Sequence, residues 1–129
     1  DRIYGHGINV LDDTKLFPQR EGGLDAIWMS QFLDCVWEEQ IVSILTRAKA
    51  AMTSDTRLYI METLWDRQRF EPAALRLTMT SLYFTALANG NSKMYHSEDM
   101  IRLVETAGLH IEDIYDGLGL GHSIIVCRR

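Results

Sequence analysis

The chain has 129 residues, of which 47% are hydrophobic, and a formal net charge of −5 with a pI near 5.3. That is material for one globular domain, or part of one, with a sizeable core. Its only run of basic residues is the terminal Arg128-Arg129 pair, which excludes the phosphate-neutralising surface that a nucleic-acid binder needs. No apolar run approaches the roughly 18 residues of a membrane span, and no leader peptide is visible. Cys35 and Cys127 lie far apart without CxxC spacing, so free thiols and a cytoplasmic location are expected.

In chain order, residues 2–10 alternate Ile3, Ile8 and Val10 with small or polar residues and predict a strand, weakened by Gly5 and Gly7. Residues 11–23 are loop, punctuated by Asp12-Asp13, Pro18 and Gly22-Gly23. The apolar run 25–29 reads as a parallel strand buried on both faces. Ser30 to Asp34 follow it, outside the carboxyl end of a strand, where open α/β sheets place ligands. Residues 38–52 predict a helix with Ile41, Ile44, Leu45, Ala48 and Met52 on one face. Glu38 and Glu39 at its start, and Arg47 and Lys49 toward its end, suit the helix dipole. A second strand, Arg57–Glu62, ends on an acid, and residues 65–70 connect it to a helix over 72–88 that opens on Pro72.

That helix carries two apolar stripes, one of Leu75, Met79, Leu82 and Ala86, the other of Leu77, Phe84 and Ala88, so both sides need covering. Asn89-Gly90-Asn91 stops it. Ser97 is the predicted cap of the next helix, whose core face is Met100, Ile101, Val104 and Ala107 and whose stop is Gly108. Residues 109–115 and 123–127 read as closing strands joined by a glycine-rich turn. The fold class is α/β: a mostly parallel sheet ending in an antiparallel hairpin, with helices on its faces.

Gly117, Gly119 and Gly121 have GxGxG spacing, but a strand follows them rather than a helix, so they predict a turn and not a phosphate loop. The four histidines show no ligand spacing, and no metal site is expected. His96 stands just before a helix start and is a candidate for a substrate pocket. Asp34 and Glu62 each follow or close a predicted buried strand, which would bring two carboxylates to one rim. Their repulsion would raise at least one pKa toward a useful base. A structural reading remains open, in which Asp34 caps the following helix and Glu62 pairs with Arg67 or Arg69.

Residues 24–39 with 7–10 before them, 58–62 and 94–109 (MYHSEDMIRLVETAGL) carry a resemblance. Residues 5–107 resemble the C-terminal half of a class I S-adenosylmethionine-dependent methyltransferase, more narrowly the small-molecule O-methyltransferase family of caffeate and hydroxyindole enzymes and its bacterial members. The resemblance implies a partial Rossmann-like fold, S-adenosylmethionine as cofactor, and methyl transfer to a small hydroxyl-bearing acceptor, aromatic or polyene. It places Asn9 and Val10 at the adenine end of the cofactor, and Ser30 and Gln31 where the fourth strand approaches it. The family's base histidine aligns with Asp34; its two flanking glutamates align with Glu62 and with Met94, near His96. The implied catalytic set is therefore Asp34, Glu62 and His96.

The family's glycine-rich cofactor loop falls before Asp1, so residues 1–129 are expected to be the C-terminal portion of a catalytic domain, inactive alone. One edge of strand 25–29 then lacks a partner, residues 2–10 are expected to be displaced from their family position, and a homodimer through helix 72–88 follows. The alternative is a non-catalytic module of methyltransferase fold that works by dimerisation or partner binding.

Overall fold

The computed structural model describes residues 3–88 and 90–129. Arg2 and Asn89, which belong to the predicted first strand and to the predicted helix stop, lie outside the described residues.

Helix α1, Glu38–Ala51, forms where the apolar spacing predicts it and buries Ile41, Ile44, Leu45 and Ala48 completely or nearly so. Each fully buried Ile or Leu contributes about 1.5–3 kcal/mol relative to exposure. At its start the Gln40 side chain accepts from the Trp37 backbone N–H at 3.0 Å, half of a capping box. At its end Lys49 donates to the Gly108 carbonyl at 2.6 Å, tying the helix to the last strands.

Strand β1, Ala26–Ser30, pairs in parallel with β2, Arg57–Glu62, with Met29 opposite Ile60. Strands β3, His110–Leu118, and β4, His122–Arg128, form the antiparallel hairpin that closes the sheet, and β4 lies against β2 to give the order β1-β2-β4-β3. Gly119 and Gly121 lie in its turn, and Gly117 in the irregular last stretch of β3. The two-residue period of β2 sends Leu58, Ile60 and Glu62 to one face, so a glutamate occupies a position built for an apolar side chain.

Helices α1 and α3, Ser97–Thr106, cover that face, packing Leu45, Met100, Leu103 and Val104 on Met29, Leu58, Ile60, Ile125 and Cys127. The other face carries Trp28, 55% exposed, with its ring centroid 5.7 Å from that of Tyr59, and an exposed Tyr115. Strand β1 is thus an edge strand open on one face, not one buried on both as its composition predicts: an apolar run encodes a demand for cover, and among the described residues only one side supplies it.

Three local expectations need correction. Residues 3–10 form no strand; the Asn9 carboxamide oxygen accepts from the Leu11 N–H at 3.1 Å and its carbonyl from the Asp12 N–H at 3.2 Å, a turn that ends any extended run. Helix α3 is capped by His96, whose Nδ1 accepts from the Glu98 N–H at 3.1 Å; Ser97 is the first helical residue and its hydroxyl donates to Asp66 at 2.5 Å instead. In helix α2, Glu71–Tyr83, which continues as a π-turn over Phe84–Ala88, Leu77 is buried and Phe84 half-buried. The stripe of Leu75, Met79 and Leu82 faces water, so among the described residues only one of the two stripes is covered. No described helix is long and apolar enough to cross a membrane.

Candidate functional site

The site is built where β1 and β2 end. Glu62, 2% exposed, closes β2, and its Oε1 accepts from the backbone N–H groups of Phe32 and Leu33, both at 2.9 Å. Those two residues open the 3-10 turn Leu33–Cys35 that leads out of β1, so one carboxylate fastens the two strand ends. Its second oxygen, Oε2, is buried without a hydrogen-bond partner among the described residues. Burial first, and then the nearby Asp34 carboxylate, push the Glu62 pKa up to about 7. Asp34, half-buried in the same 3-10 turn, is also raised, chiefly by burial. The two are electrostatically coupled, and Glu62 reaches the range where a carboxylate can exchange protons at neutral pH. Neither structural alternative holds: Trp37 occupies the cap position of α1, and Arg67 pairs with Asp116 at 2.6 Å.

Gln31, between β1 and that turn, has φ of +49°, an uncommon backbone conformation for a residue with a side chain. The change of direction there separates two faces. Val10 and Ser30 line one apolar groove of about 560 Å³ with Trp28, Met29 and Phe32. Gln31 lines a second cavity on the other side with Thr63, Met94 and residues of α2. The Asn9 side chain is engaged in its own turn. His96 is held apart from the carboxylate pair: its Nδ1 caps α3, its Nε2 lies 3.7 Å from Asp66, and its ring meets Trp65 edge-on at 4.8 Å.

Arg47 lies toward the end of α1, where the dipole favours a cation, and the structure adds that it is buried. It is only 7% exposed and donates to the carbonyls of Val10, of Asp12 at 3.1 Å and of Lys15 at 3.0 Å, with its guanidinium 5.0 Å from the centre of the Phe17 ring. It pins the segment carrying Val10 against α1. Among the described residues no group of three or more His, Cys, Asp and Glu is placed to hold a metal ion.

No protein-family model matches the chain, and no curated protein does. Solved structures do. TnmH is 25% identical with a TM-score of 0.77, over 95% of this chain and 34% of its own. The mitomycin 7-O-methyltransferase MmcR is 23% identical with a TM-score of 0.72, over 92% and 32%. A variant of LepI, solved with SAH and a substrate analogue, is 18% identical with a TM-score of 0.72, over 91% and 28%. The chain has the fold of the C-terminal part of a class I O-methyltransferase. It spans about a third of the length of the structures it matches.

In this methyltransferase fold the carboxyl ends of β1 and β2 form one rim, with Ser30, Gln31, Asp34 and Glu62 on it. Cys35, also on the rim, is pushed up to about 11 by burial and by Asp34, so its thiol is not poised as a nucleophile. Nearby, the Met94 sulfur receives a hydrogen bond from the Thr63 hydroxyl at 3.5 Å. Glu62 stands as the rim's most perturbed acid.

Proposed function

We propose that the chain forms the acceptor-facing and part of the cofactor-facing wall of an S-adenosylmethionine-dependent O-methyltransferase that acts on a small hydroxyl-bearing molecule. The observation that carries this reading is the buried Glu62, raised to about 7 with one oxygen unpartnered, at the carboxyl edge of a methyltransferase-type sheet. The residues present suit one wall of a cofactor site: the groove holding Val10 and Ser30 is apolar, of sufficient volume for a nucleoside, and backed by the half-exposed Trp28 ring. When bound, the cofactor supplies an electrophilic methyl group.

The remaining work falls to this chain. Val10 and Ser30 hold the cofactor side. Gln31 and Thr63 shape the acceptor side. Glu62 takes the acceptor's hydroxyl proton, directly or through a water, at the oxygen that has no other partner. Asp34 keeps that carboxylate basic by repulsion. His96 is a scaffold residue in this mechanism, because both of its ring nitrogens face partners.

The test is S-adenosylhomocysteine release by the protein with S-adenosylmethionine and hydroxyaromatic acceptors. In Glu62→Gln, kcat should fall by about 10²- to 10⁴-fold, the usual contribution of a general base, while cofactor Kd stays within a few-fold. Equal losses in both would reassign Glu62 to structure.

A second reading, the interaction module, draws on the outward face of α2, where Leu75 is 62% and Met79 55% exposed. Pairing of two chains through this stripe is part of either reading, since a closed two-fold interface is the commonest way to cover such a face. Met79→Glu should convert the dimer to a monomer in light scattering, whereas a dimer that survives the substitution places the contact elsewhere.

A further inference from the structure

We propose that His96 and Ser97 form a pH-driven switch at the start of α3. Neutral His96 caps the helix; protonated His96 passes to the Asp66 carboxylate, and the freed Ser97 hydroxyl caps the helix one residue later. The inference does not rest on methyl transfer.

The parts of the switch meet where the 3-10 turn Trp65–Arg67 touches the start of α3. His96 Nδ1 accepts from the Glu98 N–H at 3.1 Å, so in this state that nitrogen carries a lone pair and the ring proton sits on Nε2. Nε2 lies 3.7 Å from Asp66 Oδ2, too far for a hydrogen bond. The same Oδ2 takes the Ser97 hydroxyl at 2.5 Å, while Oδ1 takes the Ser97 N–H at 2.7 Å. One carboxylate oxygen thus has two competing donors, and the serine holds it. Ser97 is buried, but the His96 side chain is 30% exposed, so protons reach the ring.

Protonation inverts this arrangement. An imidazolium carries a proton on both nitrogens, and Nδ1–H would face the Glu98 N–H, donor against donor. Its charge also meets the positive end of the α3 dipole. Asp66 attracts it, and a small turn of the ring brings Nε2–H onto Oδ2 as a charge-assisted bond. The Ser97 hydroxyl then loses its acceptor, and serine is among the best caps, accepting from an N–H two or three residues further on. The Ser97 N–H keeps Oδ1, so the joint stays closed. Trp65 packs edge-on against the ring at 4.8 Å. The other charges on the surrounding elements are committed: Lys93 to Glu38, Arg102 to Glu38 and Asp99, and Arg67 to Asp116, with Glu98 in the first turn of α3. Each bond lost in the exchange has a successor, so the joint changes shape more than the fold changes stability. Met94, just before Tyr95 and His96, lines the cavity beside α2, which places the switch at the edge of that wall.

The experiment is nuclear magnetic resonance of the full chain between about pH 8 and about pH 5, the interval in which histidine changes charge. At the upper end the His96 ring nitrogens should report the Nε2–H tautomer. On acidification the Glu98 amide should lose protection against hydrogen exchange by about tenfold relative to its intrinsic rate, the loss of one cap bond, while the Asp99 amide gains protection. His96→Asn keeps an acceptor at the cap and does not titrate, so its Glu98 protection should be the same at both ends. In Ser97→Ala, Glu98 should still lose protection and Asp99 should gain none. An Nδ1–H tautomer at the upper end, or constant Glu98 protection in the wild type, overturns the proposal. So does a loss that persists in His96→Asn, or an Asp99 gain that survives Ser97→Ala.

Discussion

Glu62→Gln should remove a fall in stability that the wild-type chain shows between about pH 4.5 and pH 7. The folded pKa of Glu62, about 7, lies above its ordinary value of 4.5, so the fold binds this proton more tightly than the unfolded chain does. A group raised in this way contributes stability that is complete below the lower value and is lost as pH rises through the upper one. A shift of this size corresponds to about 3 kcal/mol, at roughly 1.4 kcal/mol per unit. Glutamine keeps the oxygen that accepts from the Phe32 and Leu33 N–H groups and carries no charge at any pH. Its midpoint of urea unfolding should therefore change little over this window, while the wild-type midpoint declines.

Other carboxylates act outside that range or cancel in the comparison. Glu38, lowered by Lys93 and then Arg102, and Asp116, lowered chiefly by Arg67, contribute stability that is lost only as pH falls through and below the ordinary carboxylate range. Asp34 is present in both proteins, and in the variant it loses a charged neighbour. Parallel pH profiles for wild type and Glu62→Gln would mean that the buried carboxylate is ionised throughout and is held by contacts other than the two amides. The consequence for catalysis is direct, because the same excess of proton affinity is what would let Glu62 take a proton from a hydroxyl at neutral pH.

The elements legible in the sequence are those whose pattern is local. Helix α1 announces itself through Ile41, Ile44, Leu45 and Ala48, and β2 through a run whose bounds coincide with the observed Arg57–Glu62. The hairpin is readable because a strand, rather than a helix, follows the glycine triplet. The meeting of Asp34 and Glu62 is readable too, since neighbouring parallel strands carry their carboxyl ends to one edge.

What escapes the sequence depends on cover and on distant acceptors. The apolar residues of β1 and α2 say that they should be buried but not by what, and each has one side open among the described residues. Ser97 and His96 are interchangeable as caps on local grounds, because both can accept from a helix N-terminus. The choice falls to Asp66, 31 residues from Ser97, which takes the serine hydroxyl.

Arg47 gives the second large effect. Near the end of α1 an arginine reads as a solvated partner of the helix dipole, yet this one is buried and has no carboxylate partner among the described residues. Its charge is satisfied by carbonyls, with Val10, Asp12 and Lys15 from the incoming segment and Ser43 one turn earlier on its own helix. Hydrogen bonds made by a charged donor contribute about 1.5–3 kcal/mol each. These bonds tie residues 10–15 to α1.

Arg47→Met keeps the packing stem beside Phe17 and removes every donor. The released carbonyls can turn to water, so the domain should stay folded and the segment alone should open. Loss of about 3 kcal/mol of local stability corresponds to about a hundredfold faster trypsin cleavage after Lys15, with only a small change in the unfolding midpoint. Arg47→Lys should fall between the two, because an ammonium cannot span three carbonyls from one position. Unchanged cleavage in Arg47→Met would show that Phe17 and the turn at Asn9 hold the segment without help. If the segment does open, Val10 leaves the groove it shares with Ser30, and cofactor affinity should drop while the Glu62 titration stays where it was.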